Sequence, residues 1–144
     1  NDEITSAEFV VMMINGLETE LVWYKDQFTD VSADEWYADY IATIKELGFA
    51  KGYGDGTFRP NDKITRTEAA VMLSNIIDIE LSEKEIDTLL AQFTDKDDIA
   101  AWAVEDIAKV VKAKVMEGNN GKFLSNENTT RAEVATIIYR IYNR

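Results

Sequence analysis

One four-residue signal occurs three times in this chain, and it constrains the fold more than any other feature. Thr5-Ser6-Ala7-Glu8, Thr65-Arg66-Thr67-Glu68 and Thr130-Arg131-Ala132-Glu133 stand 60 and 65 residues apart. In each, the threonine hydroxyl suits the third backbone N–H of a new helix, and the glutamate three residues on suits the threonine's own N–H, a capping box. Each box opens an apolar stretch. Upstream, Phe28-Thr29-Asp30 matches Phe93-Thr94-Asp95, Trp36 matches Trp102, Gly52 matches Gly118, and Gly56-Thr57-Phe58 matches Gly121-Lys122-Phe123. The chain is therefore an internal repeat, in which neighbouring units bury each other's apolar faces.

Helical spacing fills in the units. Phe9, Val10, Met13, Ile14 and Leu17 predict a helix over 5–15, which Gly16 ends or which Leu21, Val22, Trp23 and Tyr24 prolong beyond it. Because Asn1-Asp2-Glu3-Ile4 aligns with Asn61-Asp62-Lys63-Ile64, residues before about 15 read as the second half of a unit. In repeat two, Asp30 and Asp34 are candidate caps. Trp36, Tyr40, Ile41, Ile44 and Leu47 form a stripe that ends at Gly48. Trp36 and Trp102 begin such stripes, which favours core packing over an exposed, sugar-stacking role. A loop with three glycines and the chain's one proline follows, with a strand-like segment at 57–59, and then a second helix over 66–77. Ser82 and Glu85 cap a short connecting helix. Repeat three follows the same plan, with Lys114 in place of Gly48 and Glu117 in place of Lys51. The resulting division is 1–27, a half unit with its connector; 28–77, repeat two; 78–92, a helical connector; and 93–144, repeat three.

Composition narrows the chemistry. With 27 acidic and 15 basic residues, the net charge of −12 argues against nucleic acid or an anionic membrane as the main partner. The chain has no cysteine and no histidine, which removes disulfides, thiolate metal sites, the commonest general base and every Ser-His or Cys-His pair. No apolar run reaches membrane-spanning length. Asp95, Asp97 and Asp98 alternate somewhat like a calcium loop but lack its glycine and closing glutamate, so they read as a solvated loop, and neither metal nor cofactor is expected. The candidate site is a helix start. Arg66, between Thr65 and Glu68, adds a fork of donors to unpaired helix N–H groups, an arrangement suited to a carboxylate or phosphate; the alternative is a pair with a neighbouring carboxylate. Arg131, between Thr130 and Glu133, is its counterpart, and Ser6, between Thr5 and Glu8, carries no charge.

Phe-x-Asp-Val, a tryptophan soon after it, the run Gly52-Tyr53-Gly54-Asp55-Gly56-Thr57-Phe58-Arg59-Pro60-Asn61 and Ile64-Thr65-Arg66-Thr67-Glu68 together resemble the S-layer homology repeat. The resemblance covers a half unit and two full units. It implies an all-α fold of tandem helix-loop-helix repeats packed with approximate threefold symmetry around a central bundle, the first repeat incomplete. It also implies a function, the non-covalent anchoring of a surface protein to the wall of a bacterium, with Gram-positive bacteria the expected group. The implied ligand is a secondary cell-wall polysaccharide, often pyruvylated, bound in grooves between repeats. No catalysis is implied. The key arginine maps to Arg66 and Arg131. Gly52, Gly54 and Gly56 would let loop amides approach the sugar, Lys51 and Lys63 would add charge, and Trp36, Trp102 and Asp30 are further candidates, with core packing the alternative for the tryptophans and a loop or capping role the alternative for Asp30. The front half of repeat one is expected upstream or supplied in trans. A competing reading is a protein-protein assembly module whose grooves take a partner segment.

Overall fold

A computed structural model describes residues 2–50 and 52–144, so the groove charge expected of Lys51 and the alignment of Asn1 lie outside the described residues. Six α-helices form among these residues: α1 Ser6–Gly16, α2 Ala38–Glu46, α3 Arg66–Ser74, α4 Glu83–Leu90, α5 Val104–Lys112 and α6 Arg131–Tyr142. Two 3-10 turns, Lys96–Asp98 and Ala101–Ala103, lead into α5. Among the described residues, strand-like pairing is confined to isolated bridges such as Glu3 with Thr130 and Thr5 with Lys63. The chain is all-α.

Helix starts follow from side-chain chemistry. Thr5, Thr65 and Ser82 close full capping boxes with Glu8, Glu68 and Glu85, and the Thr130 hydroxyl accepts the Glu133 N–H. Three helices end alike. After α2, Gly48 N–H donates to Lys45 O at 2.9 Å and Phe49 N–H to Ile44 O at 3.1 Å, a Schellman closure with Gly48 at φ +78°. Glu18 after α1 and Lys114 after α5 take the same place at φ +54° and +60°.

Several expectations need correction. α1 stops at Gly16, and residues 21–24 are not helical; Val22 and Tyr24 instead donate their N–H groups to Thr43 Oγ1 and Asp39 Oδ1 of α2. α3 ends at Ser74 rather than Ile77, although Ile77 is still buried. Neither Asp30 nor Asp34 caps α2, whose cap residue Tyr37 makes no side-chain cap bond. The strand-like segment at 57–59 is excluded by Arg59, which sits at φ +59°. Trp36 and Trp102 do not enter the core and are 64% and 68% exposed. The buried stripe starts one residue later, at Tyr37 and at Ala103.

The chain divides into two compact units. The first runs to Ile64 and adds Thr129–Asn143. In it α1 packs against both α2 and α6, and Phe9, Val10, Met13, Ile14, Ile41 and Phe58 are among its buried core residues. The three segments that lead into capped helices bond in a ring: Ile4 N–H to Thr129 O, Thr129 N–H to Ile64 O, and Ile64 N–H to Ile4 O. The second unit, Thr65–Asn128, packs α3 and α4 against α5 over Leu73, Phe93, Ile107, Val110, Met116 and Phe123.

Candidate functional site

Each unit carries one glycine loop, and the two loops are built the same way. In the first unit both carboxylate oxygens of Asp30 are used, accepting Phe58 N–H at 2.8 Å and Arg59 N–H at 2.7 Å. Thr29 N–H donates to Gly56 O at 2.8 Å, and the Phe28 and Phe58 rings meet at 5.3 Å. In the second unit Asp95 accepts Phe123 and Leu124 N–H, both at 2.9 Å. Thr94 N–H donates to Gly121 O, and Phe93 meets Phe123 at 5.5 Å. The Phe-Thr-Asp signature is thus the staple that holds the loop, and Asp30 is a loop residue rather than a helix cap. Glycine is required at the loop base. A Cβ on Gly52 would lie 2.6 Å from the Phe28 ring, and one on Gly118 would lie 2.5 Å from Lys122 O. Gly54 and Gly56 hold φ of +82° and +86° at the exposed tip, where a Cβ would meet nothing within 4 Å at Gly54 and Thr29 Cγ2 at 3.6 Å at Gly56.

The carboxylates show the strength of these bonds. The Thr57 hydroxyl and amide hold Asp55 at a pKa of about 2, with further help from Arg59. Burial works against the charge on Asp95, but the Leu124 and Phe123 amides outweigh it and the pKa falls below the ordinary value. Beside Asp95 lies an open depression of about 100 Å³, lined by Asp98, Leu124, Ser125, Asn126 and Glu127. Its acidic walls suit no anion. Ser125 stands where the other loop has Pro60, and its buried Oγ has no hydrogen-bond partner among the described residues.

The two arginines occupy different environments. Arg66, in the second unit, is only 8% exposed. Its Nε donates to Phe123 O at 2.9 Å, its Nη2 to Glu117 O at 2.7 Å, and its guanidinium carbon sits 4.8 Å from the Phe123 ring centroid. It therefore clamps the loop of its own unit. Arg131, in the first unit, is half exposed, and its Nη2 donates to Glu8 Oε2 at 2.8 Å. Glu8 also accepts the Thr5 N–H through Oε1, so a single carboxylate completes a capping box and holds an arginine. The Thr5 bond lowers the Glu8 pKa, burial opposes it, and Arg131 adds to the lowering.

The helix starts also differ in cover. In the first unit Ser6 and Ala7 are buried and donate their N–H groups to Asp62 O and Pro60 O. In the second, Arg66 and Thr67 are buried and donate to Glu127 O and Ser125 O. Arg131 donates its N–H to Asp2 O, yet Arg131, Ala132 and Ala135 are exposed. The predicted site residues are thus divided. Asp30, Trp36, the three loop glycines, Thr5, Glu8, Thr130, Arg131 and Glu133 fall in the first unit, and Thr65, Arg66, Glu68 and Trp102 in the second.

Three exposed groups were not singled out from the sequence. Arg59 pairs with Asp55 at 3.2 Å and lies 3.9 Å from the Tyr53 ring centroid, giving the first loop its own cation and aromatic. Its place in the Thr-Phe-Arg-Pro run was the available signal. Trp23, 80% exposed, lies in the connector, which carries no repeat signal.

Comparison with known proteins gives a family profile and relatives that align along nearly the whole of this chain. The profile described as S-layer homology domain matches residues 27–70 and 92–135. An amylopullulanase of Thermoanaerobacterium thermosulfurigenes is 32% identical over 100% of this chain and 8% of its own length. The S-layer protein sap of Bacillus anthracis is 28% identical over 97% of the chain and 16% of its own length. A surface-layer 125 kDa protein of Lysinibacillus sphaericus is 34% identical over 95% of the chain and 12% of its own length. The chain spans less than a fifth of each of these relatives.

Proposed function

The chain belongs to the S-layer homology domain family, and on that premise we propose that it anchors a larger protein non-covalently to the wall of a Gram-positive bacterium. The observation that carries this reading is the variety of relatives. The same stretch recurs in a protein named for starch hydrolysis and in proteins named for surface layers, as a small part of each. An enzyme's name and surface-layer names have no reaction in common, which supports a module that serves attachment and carries no catalysis of its own. No helix among the described residues is long and apolar enough to cross a membrane, and attachment through a wall polymer needs none.

The ligand class proposed is a secondary cell-wall polysaccharide bearing pyruvate ketals. A ketal carboxylate suits a guanidinium, and of the two helix-start arginines the reachable one is Arg131, which already holds the carboxylate of Glu8. Arg66 serves the same end indirectly, by fixing the second loop. Gly52, Gly54 and Gly56 bring loop amides to the surface, and Trp36 and Trp102 offer exposed indole faces for sugar rings. A second reading, assembly with protein, is favoured by α6. Its exposed Ala132, Ala135 and Tyr139 give an uncharged face open to a segment of a partner protein.

The deciding experiment is sedimentation of the chain with protease-treated wall sacculi, before and after chemical removal of the ketals. Binding that vanishes with the ketals supports the glycan reading. Binding that survives their removal overturns the role of the carboxylate, and absence of binding to any intact wall favours assembly.

A further inference from the structure

The first unit presents two exposed indoles near α2, and only one of them belongs to the repeat. Trp36 stands in the turn two residues before α2 begins, and Asp39 and Thr43 stand four residues apart on α2, the spacing that aligns one side of a helix. The connector lies along that side. Val22 N–H donates to Thr43 Oγ1 at 2.9 Å and Tyr24 N–H to Asp39 Oδ1 at 2.8 Å, so Trp23 is held at both neighbours while its own side chain is 80% exposed. Tyr24 locks the segment further. Its hydroxyl lies 2.7 Å from the carbonyl oxygens of both Phe28 and Val31 and accepts the Phe28 N–H. Running from Thr43 toward Asp39, the connector approaches the N-terminal end of α2, where Trp36 stands.

We propose that Trp23 and Trp36 together form a stacking platform for consecutive sugars of the wall polysaccharide, which extends the ligand contact beyond the loop and the arginine. The proposal rests on the glycan reading above. Indole rings bury large apolar faces, and a backbone fixed before binding loses little freedom on binding. The second unit has no such platform. There Trp102 stands before α5, and the flanking connector is the helix α4, packed on α5 through its buried Leu90. The two units therefore differ in how much glycan they grip, and the longer contact lies in the first.

The test compares the whole chain with Trp23→Ala, Trp23→Tyr and Arg131→Ala on protease-treated sacculi and on the released polysaccharide. Trp23→Ala is expected to melt as the parent does and to bind roughly tenfold more weakly, with Trp23→Tyr recovering part of the loss. In a Trp102→Phe background, polysaccharide should also shield the remaining indoles from iodide quenching. If the parent binds in an Arg131-dependent manner while Trp23→Ala binds as well as the parent, the platform is wrong and the glycan reading stands. If the parent binds neither sacculi nor polysaccharide, both fall.

Discussion

Arg66 shows how far a residue's chemistry can be read without its surroundings. The sequence places a guanidinium at a capped helix start, and two outcomes are open there, a ligand or a neighbouring carboxylate. The structure gives a third, backbone carbonyls at Phe123 and Glu117, which no local pattern announces because they lie 57 and 51 residues away in the chain. On sequence grounds Arg66→Ala should leave melting nearly unchanged. Burial reverses that expectation, because truncation strands two carbonyls and opens a void over the Phe123 ring. The expected cost is about 2–3 kcal/mol, seen as a melting temperature lower by roughly 5–10 °C. Arg131→Ala removes a half-exposed pair with Glu8 and should cost less than about 1 kcal/mol. Thermal melts of both variants followed by circular dichroism compare the two; equal, small losses would mean that the Arg66 clamp contributes little.

At the scale of the element, helix starts were legible wherever a box of side chains makes them, and illegible where it does not. Thr5, Thr65, Ser82 and Thr130 were readable because the cap is written within four residues. The start of α2 is not, because Tyr37 caps nothing and Asp30 is occupied across the loop by Phe58 and Arg59. That one-residue uncertainty reversed the reading of the tryptophans, since moving the stripe from Trp36 to Tyr37 turns an indole from core to surface. Helix ends carry their own test. Gly48, Glu18 and Lys114 hold the same left-handed position, which costs a residue with a Cβ about 1–2 kcal/mol, partly offset by the greater freedom glycine loses on folding. Lys114→Gly and Glu18→Gly should therefore each stabilise by about 0.5–1 kcal/mol, and Gly48→Ala, in open space, should destabilise by a similar amount. Urea midpoints measure all three, and a lower midpoint for Lys114→Gly would show that the closure after α5 is not under strain.

For the whole molecule, the repeat was legible, but which faces pack together is not written in any local pattern. Sequence periodicity marks where a unit is copied, whereas compact units form where faces meet, and α1 meets α2 and α6 while α3 meets α5. Net charge, by contrast, is fully readable and gives an opposing pair of pH effects. At −12 the folded chain repels itself, and this repulsion relaxes as pH falls toward the isoelectric point near 4.4. Against it stand the carboxylates that hold caps and loops. Asp55, Glu8, Glu85 and Asp95 all have folded pKa values below their ordinary ones, so the unfolded chain binds more protons in that range. Their contribution is complete above the unfolded values and is lost as pH falls through the folded ones, which reach about 2 at Asp55. The melting temperature should thus hold steady or rise from about pH 7 to 5 and fall steeply below about pH 4. High salt should flatten the first limb, where long-range repulsion is screened, and spare the second, where each carboxylate sits within hydrogen-bond distance of an amide. Calorimetric melts across this range at low and high salt test both limbs. A decline that begins between about pH 7 and 5 would mean that repulsion is not what the acidic surface contributes.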